Sequence, residues 1–498
     1  MRTKLVLFLL LLLTPALANG ASHPLLRFVP GEPLVCLSFE DLPALYETAT
    51  SQPAYQAHAE SDDRKAFDQS KLALKLGDRI GEFGKFIGHD VNMKTLVELS
   101  GNHTVLALYD IGNLTFLLIS DLDAQGQAAL AYLDAFRNLD TRKVGEHTFH
   151  VKEDPQAGLA FAFHQSEGML MLSNDITLLE KSLSLRTGDP RSDSFADSPM
   201  ITKASSDPGV IEAPAILVLD MEHLRDDRYF RYYWVYQNHR LFSNVDAVIS
   251  GIRTDKANFS EHRLLLGTFP AASAIPRTEK FDGAWWAASG EQNNAITEAH
   301  RFLGWPQTEA PNWEKEITGA LYAFRGEQDK LGVVRYKKGV ALLLASGNRD
   351  SDWTQLIEDA SEKSFIISNA VPKFRKEGEL YISQGPKSMP PAFIAQRGNL
   401  LFAANDHKTI HDLMNQVQAD QESGEIEIAS VPLKKTIPLL NTALDQMGPR
   451  GTFEDYGAGF FLSEQFTGLL TAVGNFDSFN FNYKRIDDGT AVQDVHYR

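Results

Sequence analysis

The residues with the strongest chemical character lie between positions 225 and 240, RDDRYFRYYWVYQNHR. Arginine and large aromatic side chains dominate binding hot spots, because a guanidinium stacks on a ring and a ring covers much area with little rotamer entropy. On a helix, Tyr229, Tyr232, Tyr233 and Tyr236 share one side, while Phe230 and Trp234 form a second stripe. Two settings fit that pattern. In the first, Arg228, Tyr229, Arg231, Tyr232 and Trp234 are exposed anchors for a partner. In the second, the helix is packed on two sides and its arginines pair with Glu222, Asp226 or Asp227. For acid–base chemistry, the nearby His223, Asp226 and Asp227 are the candidates for a hydrolase-like site assembled from scattered acidic and His residues.

Other chemistries lose their usual signals. The sequence has no Gly-x-Ser-x-Gly elbow, no phosphate-cradling glycine-rich loop and no dinucleotide fingerprint, so we expect no cofactor. A single cysteine, Cys36, excludes cysteine-rich zinc sites and any internal disulfide. Its setting, PLVCLSF, reads as a buried strand with an inert thiol. His407 and His411 stand one helical turn apart, but Ile410, Leu413, Met414 and Val417 define the buried side of that helix. His411 therefore faces solvent, and we expect no metal there. Asp121, Asp123 and Gly126 resemble part of a calcium loop, but Gln125 stands where the third acidic ligand belongs, and a helix cap is the better reading.

The elements that must position these residues come in two sets. Residues 165–175 read QSEGMLMLSND and residues 396–406 read QRGNLLFAAND, each a turn, an apolar strand and an Asn-Asp helix start. Asn244-Val245-Asp246 matches Asn475-Phe476-Asp477 at the same offset of 231 positions. Arg142-Lys143-Val144-Gly145-Glu146 matches Arg375-Lys376-Glu377-Gly378-Glu379 at an offset of 233. The matches keep one order in both halves, as tandem, diverged copies of one unit would. Within each copy, apolar runs around tight turns predict hairpins, at 105–119 for example. Amphipathic segments such as those starting at Ile176 and near Ile410 predict helices, with further helices at 127–136 and 353–360. The expected fold is α+β, each copy a mostly antiparallel sheet with helices packed on one face.

Boundaries follow from composition. Residues 1–18 form a signal peptide, with Arg2 and Lys4, an apolar run from Leu5 to Leu13, and Ala16-Leu17-Ala18 for cleavage. That run is too short to span a bilayer, and no later segment is longer, so no transmembrane segment is expected. The first α+β lobe covers 19–269, with a helical insertion at 51–82 and a mobile loop rich in Asp, Ser and Pro at 188–209. A linker follows at 270–282 and the second lobe at 283–498. Formal charge is −17 and becomes −19 once Arg2 and Lys4 leave with the signal. A surface this acidic argues against a nucleic-acid partner or an anionic membrane.

The stretches LALYDIGNL at 106–114 and DRYFRYYW at 227–234 resemble a family of bacterial exported proteins of uncharacterised function. The resemblance covers the first lobe best. It implies a bacterial origin and an envelope location, and it brings no catalytic residues. Export without disulfides fits a periplasm, with the extracellular space as the alternative. The expected function is that of an exported periplasmic binding or protein-interaction protein without catalytic activity. Its partner, an envelope protein or a small ligand, would sit between or beside two related lobes. The alternative is an envelope enzyme using the acidic and His residues of the first lobe.

Overall fold

Short apolar runs separated by polar turns make this a chain of strands, and its longer amphipathic runs cover them. The structure is a computed structural model. It describes residues 23–269 apart from 62–63, 66–67, 70, 123–138, 167, 189–192, 231–243 and 256. Beyond these it describes 285–289, 317–324, 327–328, 334–335, 340–346, 373–384, 393–397, 400–404, 407–416, 425–431, 433–434 and 473–498. The expected signal peptide (1–18), the linker (270–282) and the helices expected at 127–136 and 353–360 lie outside the described residues. The chain divides into two units, Met1–Thr268 and Phe269–Arg498.

The strands described in the first unit are β1 (Val35–Phe39), β2 (His103–Asp110), β3 (Thr115–Asp121), β4 (Asp140–Val144), β5 (His147–Asp154), β6 (Leu159–Ser166), β7 (Met169–Ser173), β8 (Ala215–Asp220), β9 (Val245–Thr254) and β10 (Phe259–Gly267). In space they run β10-β9-β8-β1-β2-β3-β7-β6-β5-β4. Every neighbouring pair is antiparallel, so short turns suffice to connect most of them. The helices are α1 (Leu42–Ser51), α2 (Pro53–Glu60), α3 (Lys71–Ile87), α4 (Met93–Glu98), α5 (Ile176–Arg186), α6 (Pro199–Ala204), α7 (Pro208–Ile211), α8 (Met221–Asp226) and α9 (Arg228–Phe230).

Side chains alternate across a strand, and this sheet is apolar on both faces. On one face, Leu37, Leu106, Leu118, Phe161, Leu170, Leu172 and Leu217 pack with Leu42 and Leu45 of α1 and Ile87 of α3. On the other, the Ser182 hydroxyl of α5 donates to the Phe28 carbonyl and lies 3.6 Å from the Met171 sulfur. The α+β class and the antiparallel sheet are as expected. The helices, expected on one face, cover both, because β2, β3, β7 and β8 carry apolar residues at consecutive positions as well as alternate ones.

The second unit holds β11 (Trp285–Ser289), β12 (Ile317–Phe324), β13 (Val340–Ser346), β14 (Lys373–Glu377), β15 (Leu380–Gln384), β16 (Phe393–Arg397), β17 (Leu400–Ala404) and α10 (His407–Gln416). Their spatial order, β11-β12-β13-β17-β16-β15-β14, matches β1-β2-β3-β7-β6-β5-β4 of the first unit position for position. The segments 165–175 and 396–406 occupy equivalent places: the end of one strand, the next strand, and the approach to a helix, α5 or α10.

The stretch expected as a mobile loop at 188–209 is instead folded where described. Phe195, Ile201 and Ala204 are buried there. Its Ser, Asp and Pro residues are helix-start chemistry: the Ser198 side chain caps the Ile201 amide, the Asp207 side chain caps the Gly209 amide, and Pro199 and Pro208 open α6 and α7. The expected insertion at 51–82 is helical as read, but its last helix, α3, runs on to Ile87 and roofs the sheet.

Candidate functional site

Helix α3 carries Leu76, Ile80, Phe83 and Ile87 at spacings of three and four, so one side of it is apolar. Gly88, with φ +82°, ends it, and the amides of Gly88 and His89 both donate to the Gly84 carbonyl. Asn92 then caps α4 by accepting from the Thr95 amide at 3.1 Å. The two helices lie over β2, β3, β7 and β6, and the space between them and the sheet is not filled. It forms a cavity of about 570 Å³.

Its walls are aliphatic and aromatic: Ile80, Phe83, Leu99, Leu106, Leu118 and Phe161 among them. Phe83 is edge-on to both Phe116 (5.8 Å) and Phe161 (5.9 Å), which fixes the roof on the floor. Lys152 of β5 ties the far end of α3 down, donating to the Phe86 carbonyl at 2.6 Å with its ammonium over the Phe86 ring. Polar groups stand at the rim: Arg79, Glu82, Asn113, Asn174 and Asp175.

The rim beside the β2–β3 turn is held in an uncommon shape. Leu114 has φ +52°, in the left-handed region, at a cost of about 1–3 kcal/mol for a residue with a side chain. Asn174 holds it there: its Nδ2 donates to the Leu114 carbonyl at 3.1 Å and its Oδ1 accepts from the Phe116 amide at 2.8 Å. Asp110 accepts from the Asn113 amide on the other side of the turn. Leu114 and Asn174 both line the cavity, so this geometry shapes its entrance.

Of the residues proposed from sequence as partner anchors, Arg228 and Tyr229 sit in α9 and are exposed, Tyr229 at 39%. Arg231, Tyr232 and Trp234 lie outside the described residues. The helix expected across this region is interrupted at Asp227, whose backbone is extended and whose carboxylate caps the Phe230 amide at 2.8 Å. Arg225 donates to the Val245 carbonyl and to Asp246. Tyr229 lies against Gly112 of the β2–β3 turn: a Cβ at that glycine would meet the ring at 2.3 Å. The Lys75 ammonium of α3 is 5.7 Å from the ring centre. Tyr229 and Gly112 therefore touch beside the cavity rim.

The acid–base group proposed from sequence is not assembled as expected. His223 pairs with Asp220 at 2.6 Å instead of with Asp226 or Asp227, and Asp220 holds its pKa above the ordinary value. Asp220 also caps α8 through the His223 amide. Glu32 completes a group whose ligand atoms lie within 4.8 Å of one another, the one such group of three or more among the described residues. It stands at the surface, away from the cavity walls. His407 and His411 bring their Nε2 atoms to 3.3 Å on the exposed side of α10, as the helix face predicts. Asp123 and Gly126 of the weak calcium pattern lie outside the described residues. Among the described residues no helix is long and apolar enough to cross a membrane. Cys36 is buried and free, and burial pushes its thiol pKa up.

Sequence reasoning missed the cavity residues. The one signal available was the apolar stripe of α3, read only as a charged, helix-prone insertion.

No family model matches the chain, and no curated protein matches it. Among solved structures it is similar to crystal forms of TP0453. Form IV shares 11% identity at a TM-score of 0.25, over 50% of this chain and 81% of that chain. Form I shares 10% identity at 0.20, over 81% and 99%. Form III shares 10% at 0.21, over 78% and 97%. A likeness this distant transfers no function to this chain.

Proposed function

We propose that this chain is an exported binding protein of the bacterial envelope, built from two related units, that holds an apolar small molecule in the cavity of its first unit and performs no catalysis. The observation that carries the reading is the cavity. Its volume of about 570 Å³ falls within the range of about 300–1,000 Å³ usual for small-molecule sites, and such sites combine apolar walls with a few polar groups. A well-packed core of this size leaves few voids larger than a water molecule, so an apolar space of this volume stands apart from ordinary packing. Export rests on the sequence of residues 1–18, and the tandem-copy reading on the shared strand order.

The test uses the mature protein and the neutral, environment-sensitive dye Nile red. Saturable one-to-one binding with a blue-shifted emission is expected. Leu118→Trp, which grows into the cavity from its floor, should abolish that binding while circular dichroism and Tm stay near wild type. Dye binding that does not saturate, or that survives in the folded variant, would overturn the assignment.

A second reading, a protein partner at 225–240, is favoured by one observation, the exposed Arg228–Tyr229 pair in α9. It is compatible with the first, since Tyr229 touches the turn that shapes the rim.

A further inference from the structure

We infer that the ligand of this cavity is a single-chain amphiphile with a long apolar chain and an uncharged, hydrogen-bonding head. The inference rests on the cavity reading above and adds the ligand class. Its basis is the shape of the space and the distribution of polarity around it.

The floor spans four adjacent strands, β2, β3, β7 and β6. Three interstrand steps of about 4.8 Å make it about 14 Å wide. Ile80 to Ile87 of α3, at about 1.5 Å per residue, cover about 10 Å of roof. Spread over that footprint, a volume of about 570 Å³ is only about 4 Å deep, so the space is shallow and suits a flexible chain rather than a globular solute. Its inner wall is made of Ile, Leu, Val and Phe side chains. A charge placed there would have no partner and would be strongly disfavoured.

The polar groups stand at the exposed rim, and their charges decide the head. Arg79 is matched by Glu82 at 3.3 Å, with both side chains about half exposed. Asp175 adds a second carboxylate, engaged with the Thr177 and Leu178 amides of α5. The rim is thus weakly acidic, on a chain whose formal charge is already −17. An anionic head would meet repulsion there. Asn113 is exposed at the same rim; its Nδ2 donates to Asp110 at 3.3 Å through one hydrogen, and its second amide hydrogen and its carbonyl oxygen can meet a hydroxyl or amide head.

The experiment displaces Nile red from the mature protein with saturated monoacylglycerols of increasing chain length, below their aggregation limit. Fatty acids of the same lengths at pH 8 and the compact hydrocarbon pyrene are the comparators. The monoacylglycerol affinity should rise about fourfold per added methylene and then stop rising once the chain outgrows the slot. The fatty acids should bind more weakly at each length, and Glu82→Lys should narrow that gap. Pyrene competing as well as the best chain, with no chain-length trend, would overturn the ligand class and leave the cavity reading standing. Fatty acids binding tighter than their neutral counterparts would overturn the head assignment. Failure of every compound, dye included, would remove both the class and the cavity reading.

Discussion

His23 shows how one side chain can carry a pH dependence for a whole unit. It is buried, and its two ring nitrogens have fixed partners: Nε2–H donates to the Ala213 carbonyl at 3.0 Å, and Nδ1 accepts from the Ser38 hydroxyl at 2.8 Å. Burial lowers its pKa from 6.5 to about 4, against the smaller raising effect of the Ala213 bond, and the nearby His103 lowers it a little further. The folded chain therefore keeps His23 neutral where the unfolded chain protonates it. Stability from this residue is complete above pH 6.5, falls as pH drops from 6.5 to about 4, and is flat below that. The total loss should be about 3 kcal/mol. Urea titrations of wild type and His23→Asn between pH 4 and 7.5 would show it: the wild-type slope should flatten in the variant. Equal slopes would mean that other groups carry the acid sensitivity. His164, lowered mainly by burial, acts in the same direction and leaves a residual slope.

At the scale of elements, the hairpin β2–β3 is the part on which the site depends. Its turn places Leu114 in a left-handed conformation that the Asn174 side chain stabilises from outside the hairpin, through two hydrogen bonds. Asn174→Ala should cost about 2–3 kcal/mol, as two buried-edge bonds are lost and Leu114 relaxes. It should also weaken Nile red binding by more than tenfold. Asn174→Asp, which keeps the acceptor for the Phe116 amide, should recover part of the stability. A variant of unchanged stability and affinity would show the turn to be self-sufficient. This hairpin was legible in the sequence, because two apolar runs flank Gly112-Asn113. The helix starts after Asn174-Asp175 and near Asp406 were legible for the same local reason. The fold of 193–211 was not: Ser198, Asp207, Pro199 and Pro208 look like loop composition until their caps are seen. The cavity was illegible for a different reason. Its walls come from α3, α4 and four strands spread over residues 79–175, and no local pattern reports a void between them.

For the whole molecule, the one cysteine links composition to cooperativity. With a single thiol the chain has no internal disulfide, so its stability rests on its cores. Cys36 sits in β1, between β2 and β8, paired with Ala107 on one side and Val218 on the other. It is 1% exposed, and burial holds the thiol protonated by raising its pKa. A reagent can reach the sulfur only if the middle of the sheet opens, with helices lying on both of its faces. Local fraying at the β4 or β10 ends of the first unit's strand order would not expose it. Labelling of Cys36 by a disulfide reagent should therefore be very slow in native buffer. In increasing urea its rate should follow the unfolding of the first unit, seen as loss of sheet signal. Tm should be the same with and without reductant. Rapid labelling of the folded protein, well before the sheet signal is lost, would mean that β1 detaches by itself. The ten strands would then not behave as one cooperative sheet.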